Sequence, residues 1–270
     1  MRESLLLSIF FFGALVAELL YFKYARLDFA FLKKGRQLSL SRRNIILIMA
    51  AGFVVFCWLG YQMITGANVF GLQLFYGLIY ACSLIITLFL VLPGKKPWLR
   101  LAESVIISVL LLTVIYKIPV QLGQNIYMAA AVLWVAPIVF RQFKINKNLF
   151  FIIITIGMVM DILFVWVLKG DNKITFSDQY MVFNGLVSVG EYYLGIGDFL
   201  MGYLLIGALS CYRSDRVALW LAVLLALPRF LIRVVFPSLA GMVFPYYLFM
   251  VPIFFLVYFL ANKKFLCTKR

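Results

Sequence analysis

The stretch YLGIGDFLMGYLLI, residues 193–206, places an ionisable side chain inside an apolar run of the kind that forms membrane helices. Asp198 follows Gly197 directly and lies three residues after Gly195. An ionised aspartate near the centre of a bilayer costs at least about 2.5–3.5 kcal/mol, so it is expected to have a partner or a function. The stretch therefore predicts a membrane helix that carries a paired or functional carboxylate.

The composition indicates an integral membrane protein made of helices. Of the 270 residues, 65% are hydrophobic and only 13% are charged, whereas a soluble domain is about half apolar. The sequence lacks the alternating segments of about ten residues that a membrane β-barrel needs. A spanning helix needs about 20 apolar residues. Nine runs of that kind are present: 5–22, 44–65, 71–92, 101–116, 125–140, 148–168, 192–212, 216–233 and 238–260. We therefore expect an all-α, polytopic bundle of nine transmembrane helices.

The basic residues indicate the orientation of this bundle. Nineteen of the 25 Lys and Arg residues fall in the odd-numbered connections between the predicted helices or in the C-terminal tail. Basic residues accumulate on the cytoplasmic side of membrane proteins. We therefore expect a multi-pass protein of the cell membrane, with the N-terminus outside and the C-terminus in the cytoplasm. The lipid bilayer then explains the net charge of +15, and nucleic acid is not expected as a partner.

No linker or shift in composition divides the chain, so we expect one membrane domain, residues 1–270. Within it, residues 1–147 would form a scaffold and residues 148–270 the functional core. Four scattered cysteines without CxxC spacing, and the lack of histidine, argue against a disulfide framework and a zinc site. Neither a metal nor another cofactor is expected.

Two connections between the predicted helices are long. The basic connection at 23–43 lies either on the anionic inner leaflet or in solvent. In the connection at 169–191, Asn184-Gly185 between YMVF and LVSV is a hairpin signal. An irregular interfacial loop is the alternative there, and we favour it slightly.

Four of the ten acidic residues fall within predicted helices. Glu103 begins the fourth helix and can reach water, and Glu18 lies about one turn from the basic side, where it can snorkel or find a partner. Asp161 and Asp198 each lie about 10 Å below the outer surface at the rise of an α-helix. Two consecutive antiparallel helices would thus carry one carboxyl each at the same depth.

Glycines accompany both aspartates. Gly157 lies one turn before Asp161, and Gly195 and Gly202 flank Asp198 on one helix face. Small residues let helix backbones, or a substrate backbone, approach closely. Two carboxyls in contact share a proton and titrate as a coupled pair. One can then act as a base toward water while the other protonates the leaving group. The same pair could instead carry protons or bind a cation in a transporter.

The aspartate motifs resemble those of a known family. The segment LGIGDF, residues 194–199, is similar to the LGxGDF segment of presenilins and signal peptide peptidases, which are nine-helix intramembrane aspartyl proteases. Met160-Asp161 stands where that family has Tyr-Asp. The resemblance covers the motifs of the last four predicted helices and, in helix number, the whole chain.

The family's third motif, Pro-Ala-Leu, is best matched by Pro245, with Tyr246-Tyr247 in place of Ala-Leu. A rival is the literal Pro-Ser-Leu at 237–239. Depth favours Pro245, because it lies about 23 Å from the cytoplasmic end of its helix, against about 20–21 Å for the two aspartates.

The resemblance implies an intramembrane aspartyl protease in which Asp161 and Asp198 are catalytic. It implies motif or substrate-binding roles for Leu194, Gly195, Ile196, Gly197, Pro245, Tyr246, Tyr247 and Leu248. The expected orientation is that of the signal peptide peptidases, which implies transmembrane substrates with the N-terminus inside, such as signal peptides. A catalytically inactive relative that acts as a membrane scaffold and a proton- or ion-coupled transporter are the alternatives, and the oligomeric state is left open.

Overall fold

The computed structural model describes residues 2–25, 69–93, 96–117, 121–163, 186–189, 192–235 and 246–262. Several sequence-based predictions fall outside these ranges: the predicted helix at 44–65, nearly all of the basic connection at 23–43, the hairpin signal Asn184-Gly185, the rival motif at 237–239 and Pro245.

The described residues are mostly helical, as the composition predicts, and one short β-hairpin is added. In chain order the elements are α1 (Arg2–Tyr24), α2 (Val69–Val91), α3 (Pro97–Lys117), α4 (Gln121–Ala131), α5 (Val135–Pro137), a π-helix (Ile138–Gln142), α6 (Lys147–Ile162), β1 (Leu186–Val189), β2 (Tyr192–Gly195), α7 (Ile196–Tyr212), α8 (Asp215–Val235) and α9 (Tyr247–Asn262).

Three helical stretches of the described chain are long and apolar enough to cross a membrane: Glu3–Tyr24, Pro97–Ile115 and Gln121–Gln142. The surface of α3 is apolar, with Ile106 58% and Leu110 60% exposed. Polar side chains such as Ser104 and Asn125 are buried instead. An apolar exterior around polar interior positions suits lipid as the surrounding solvent.

The predicted helix at 125–140 is not continuous in the structure. A turn separates α4 from α5, and the π-helix follows Pro137. Proline has no backbone N–H to donate to the carbonyl four residues earlier, so it disturbs the helical ladder. The Phe143 N–H bonds to the Ile138 carbonyl at 3.0 Å, a spacing of five residues. The pattern of hydrophobic residues in the sequence does not reveal such a change in hydrogen bonding.

The centre of the bundle is α7, which packs against α1, α5, α8 and α9. Small residues permit these close contacts. A Cβ added to Gly202 would lie 2.7 Å from Leu15 Cδ2, and one added to Gly207 would lie 2.9 Å from Ala136 Cβ. The ring of Phe199 meets that of Phe11 edge to face at 5.1 Å. Helix α7 therefore packs closely against α1 at Phe199 and Gly202 and against α5 at Gly207.

The C-terminal end of α1 is held by a cation. The Arg141 Nη1 atom donates to the carbonyls of Phe22 at 2.9 Å and Ala25 at 2.8 Å. The last carbonyls of a helix have no helical partner, and an arginine there satisfies them and opposes the helix dipole. The π-helix that carries Arg141 is thereby tied to α1.

The structure corrects the prediction for the Glu18 side chain. Among the residues that the structure describes, this side chain neither snorkels to the surface nor finds a partner. Its side chain is 0% exposed, and within the described chain neither carboxyl oxygen has a hydrogen-bond partner. Glu18 is buried because it lies on the face of α1 that packs into the core. This face also carries, at helical spacing, three core residues: Leu7, Phe11 and Leu15. Glu103 is exposed, as expected.

The predicted helix at 192–212 begins four residues late, because residues Tyr192–Gly195 form strand β2. This strand pairs antiparallel with β1, with Val187 opposite Leu194 and Leu186 opposite Gly195. Aromatic side chains such as Tyr192 and Tyr193 favour strands. Residues 186–189 are therefore not an irregular loop, since β1 pairs with the segment that follows it in the chain; the predicted Asn184-Gly185 turn lies outside the described residues.

Candidate active site

Asp198 lies in the first turn of α7, where its carboxylate has a local structural partner. Its Oδ2 atom accepts a hydrogen bond at 3.1 Å from the N–H of Gly195, the residue before the helix. An acid at the third helical position commonly closes the helix start in this way, and the helix N-terminus favours negative charge. The half-buried Asp198 is thus located at a helix start and not, as the sequence suggested, about two turns inside a helix.

Asp161 lies near the C-terminal end of α6. Asn146, the residue before this helix, caps it, because its side chain accepts from the backbone N–H of Asn148 at 2.7 Å. Asp161 is half-buried, and its Oδ2 atom accepts a hydrogen bond at 3.1 Å from the backbone N–H of Tyr247. A contact between α6 and the first residue of α9 therefore fixes this carboxylate.

Tyr247 also reaches the Asp198 turn. Its hydroxyl donates to the carbonyl of Gly197 at 2.5 Å, so one residue bonds to Asp161 and to the neighbour of Asp198. Its ring lies 3.9 Å from the position that a Cβ on Gly157 would take, and its hydroxyl lies 3.0 Å from that of a Cβ on Gly197. Gly197 therefore makes room for the tyrosine hydroxyl, whereas a Cβ at position 157 would only be in ordinary van der Waals contact with the ring.

Tyr246 binds a different helix. It is buried, and its hydroxyl donates to the Leu225 carbonyl of α8. Three residues later, Pro228 interrupts the hydrogen bonds of α8, because it has no N–H for the Leu224 carbonyl. The two consecutive tyrosines thus connect the start of α9 to α6, α7 and α8.

The structure brings together five of the predicted site residues: Asp161, Asp198, Gly195, Gly197 and Tyr247.

The other predicted site residues lie around this group. Leu194 is buried in the core, and Ile196 and Leu248 are half-buried on the two helix starts that frame the site. Pro245 and the side chain of Arg229 lie outside the described residues.

The sequence missed the part played by the tyrosine hydroxyls. The resemblance implies motif or substrate-binding roles for Tyr246 and Tyr247 but assigns no function to their hydroxyls. The available signal was a pair of phenols at the predicted depth of the aspartates, since buried hydroxyls need acceptors. Which acceptors they use could not be predicted, because Leu225 and Gly197 are distant in the chain.

The arrangement offers two half-buried carboxyls, each of which accepts a hydrogen bond from a backbone N–H. Among the residues that the structure describes, no three His, Cys, Asp or Glu side chains are grouped so that they could hold a metal ion. Paired carboxyls can exchange protons with water and with a peptide bond without a metal. The described geometry is therefore compatible with acid–base chemistry.

Comparison with models of known protein families gives no match for this sequence, and comparison with curated proteins gives none either. The functional argument therefore depends on the residues and their contacts.

Proposed function

We propose that this chain is an intramembrane aspartyl protease related to the signal peptide peptidases. In this proposal it crosses the cell membrane nine times, with the N-terminus outside and the C-terminus in the cytoplasm. Its substrates are transmembrane peptides whose N-terminus faces the cytoplasm. Asp161 and Asp198 form the catalytic pair.

The observation that carries the proposal is the pair of contacts made by Tyr247. Its backbone N–H binds Asp161, and its hydroxyl binds Gly197, next to Asp198. One residue thus contacts Asp161 and the residue next to Asp198, although the two acids are 37 positions apart in the chain. Acidic residues inside membrane proteins are rare and usually functional, so two of them at one place support chemistry more than packing.

The reaction would be hydrolysis of a peptide bond by a polarised water. One carboxylate takes a proton from the water as it attacks the carbonyl carbon, and the other carboxyl protonates the leaving amine. A helical substrate hides its carbonyls in its own hydrogen bonds, so it must unwind first. Backbone groups of β1 that face away from β2 could pair with the unwound segment.

Cleavage of a signal-peptide-like transmembrane segment by the purified protein in liposomes tests the proposal. We expect the wild type to give product, and Asp161→Asn and Asp198→Asn to lower kcat by at least about 100-fold. Asparagine is the informative replacement because its carbonyl oxygen can still accept from the Gly195 or Tyr247 N–H. Glu103→Gln, at an exposed position of α3, is the matched control and should leave kcat unchanged.

Two results would contradict the proposal. If both asparagine variants cleave at the wild-type rate, the aspartates serve structure alone. If the wild type is folded, as a cooperative thermal unfolding transition would show, but cleaves none of several segments, the scaffold alternative is favoured. Proton uptake into liposomes that depends on both aspartates would favour the transporter instead.

A further inference from the structure

The hydroxyl group of Tyr247 makes a hydrogen bond that a hydrophobic residue at this position could not make. Its donation to the Gly197 carbonyl at 2.5 Å is a side-chain contact, whereas the bond to Asp161 comes from the backbone and needs no particular side chain. The phenol therefore connects the residue that binds Asp161 to the first turn of α7.

The first turn of α7 carries Asp198 and packs against α1 through Phe199, but that contact involves neither α6 nor α9. At a helix start the first four N–H groups have no helical acceptor, and Gly195 and Gly197 allow the backbone there unusual freedom. The Asp198 carboxylate binds the Gly195 N–H, which is a contact within the same turn. The contact from Tyr247 comes from another helix and can hold the turn in place relative to α6.

We infer that Tyr247 is a positioning residue whose hydroxyl fixes the first turn of α7, and with it Asp198, relative to Asp161. The consequence for catalysis rests on the proposed function, but the restraint on the turn does not. A catalytic group displaced by about 1 Å can lower the rate about 100-fold, so loss of the hydroxyl should affect kcat more than KM.

Tyr246 provides a matched control within the same dipeptide. Its hydroxyl also binds a helix carbonyl, that of Leu225 in α8, and it is also removed by a change to phenylalanine. Tyr247→Phe and Tyr246→Phe therefore each delete one hydrogen-bonded hydroxyl at the start of α9. They differ in which helix loses its restraint.

The kinetic experiment compares Tyr247→Phe and a control variant with the wild type on the transmembrane peptide used above. For Tyr247→Phe we expect kcat to fall about tenfold, the size of one lost hydrogen bond, with KM within about twofold. Tyr212→Phe, which deletes a hydroxyl bound to the Ile145 carbonyl at the other end of α7, is the kinetic control and should keep kcat within about twofold. An unchanged kcat in Tyr247→Phe, in an enzyme that requires both aspartates, overturns the inference and leaves the proposed function intact.

Hydrogen–deuterium exchange of the full chain in detergent tests the restraint without any activity. In an α-helix the Met201 N–H bonds to the Gly197 carbonyl, so Tyr247→Phe should speed exchange at Leu200 and Met201 at least about threefold. Tyr246→Phe should leave that region unchanged. Equal exchange in the wild type and Tyr247→Phe overturns the inference, and faster exchange supports it even if the wild type cleaves nothing.

Discussion

At the scale of single residues, the contact between Gly197 and Tyr247 makes a specific prediction. An alanine at position 197 would place its Cβ 3.0 Å from the Tyr247 hydroxyl, and the hydroxyl cannot withdraw without losing its bond to the same residue. We expect Gly197→Ala to lower the free energy of unfolding by about 1–3 kcal/mol. The double variant with Tyr247→Phe should lose less than the sum of the two single variants. Additive losses in thermal unfolding would show that the two residues do not touch.

Glu18 makes the second prediction at this scale. Within the described chain its fully buried carboxyl has no hydrogen-bond partner, and such a group costs free energy that an apolar side chain of similar length avoids. Glu18→Met should therefore raise the free energy of unfolding by about 1–3 kcal/mol. Glu103→Met, the same exchange at an exposed position, is the control and should change it by less than about 0.5 kcal/mol. A destabilised Glu18→Met would reveal a partner.

At the scale of elements, packing against α1 positions α7, the helix that carries Asp198. Gly202 faces Leu15 and Phe11 of α1, and a Cβ there would be 2.7 Å from the nearest atom. We expect Gly202→Ala to lower the free energy of unfolding by about 1–3 kcal/mol, because all neighbouring side chains are buried. Gly13→Ala on α1 is the matched control, since nothing lies within 4 Å of its added Cβ. Equal losses in both variants would argue against close packing at Gly202.

The hairpin is the second element that matters for the site. Strand β2 leads directly into α7, and Val187 and Leu194 are buried in the main core. Deleting residues 185–189 would therefore remove core packing as well as any strand that could bind a substrate. Such a deletion cannot separate folding from binding, and single substitutions in β1 are the better test.

At the scale of the whole molecule, the proposed orientation is directly measurable. Nineteen of the 25 basic residues belong to the predicted cytoplasmic side. A green fluorescent protein fused after Arg270 should be fluorescent, whereas alkaline phosphatase at the same position should be inactive. An active phosphatase fusion would place the C-terminus outside and would contradict the orientation.

The sequence by itself determined that the chain is mostly helical, with apolar stretches long enough to cross a membrane. Composition and the length of apolar runs depend on local properties alone. The sequence also singled out Asp161 and Asp198, since a carboxyl in an apolar run is conspicuous whatever its neighbours. The starts of helices were predicted less well: Pro137 and the tyrosines of β2 change the backbone within runs that are apolar throughout.

Only the tertiary structure decided what surrounds the two aspartates. The bonds from Tyr247 join residues 86 and 50 positions apart, and no periodicity of a single chain segment encodes such a pairing. Likewise, the burial of Glu18 depends on which face of α1 meets α7. Local physics chooses helices and marks unusual residues, whereas packing between distant segments determines which of those residues meet.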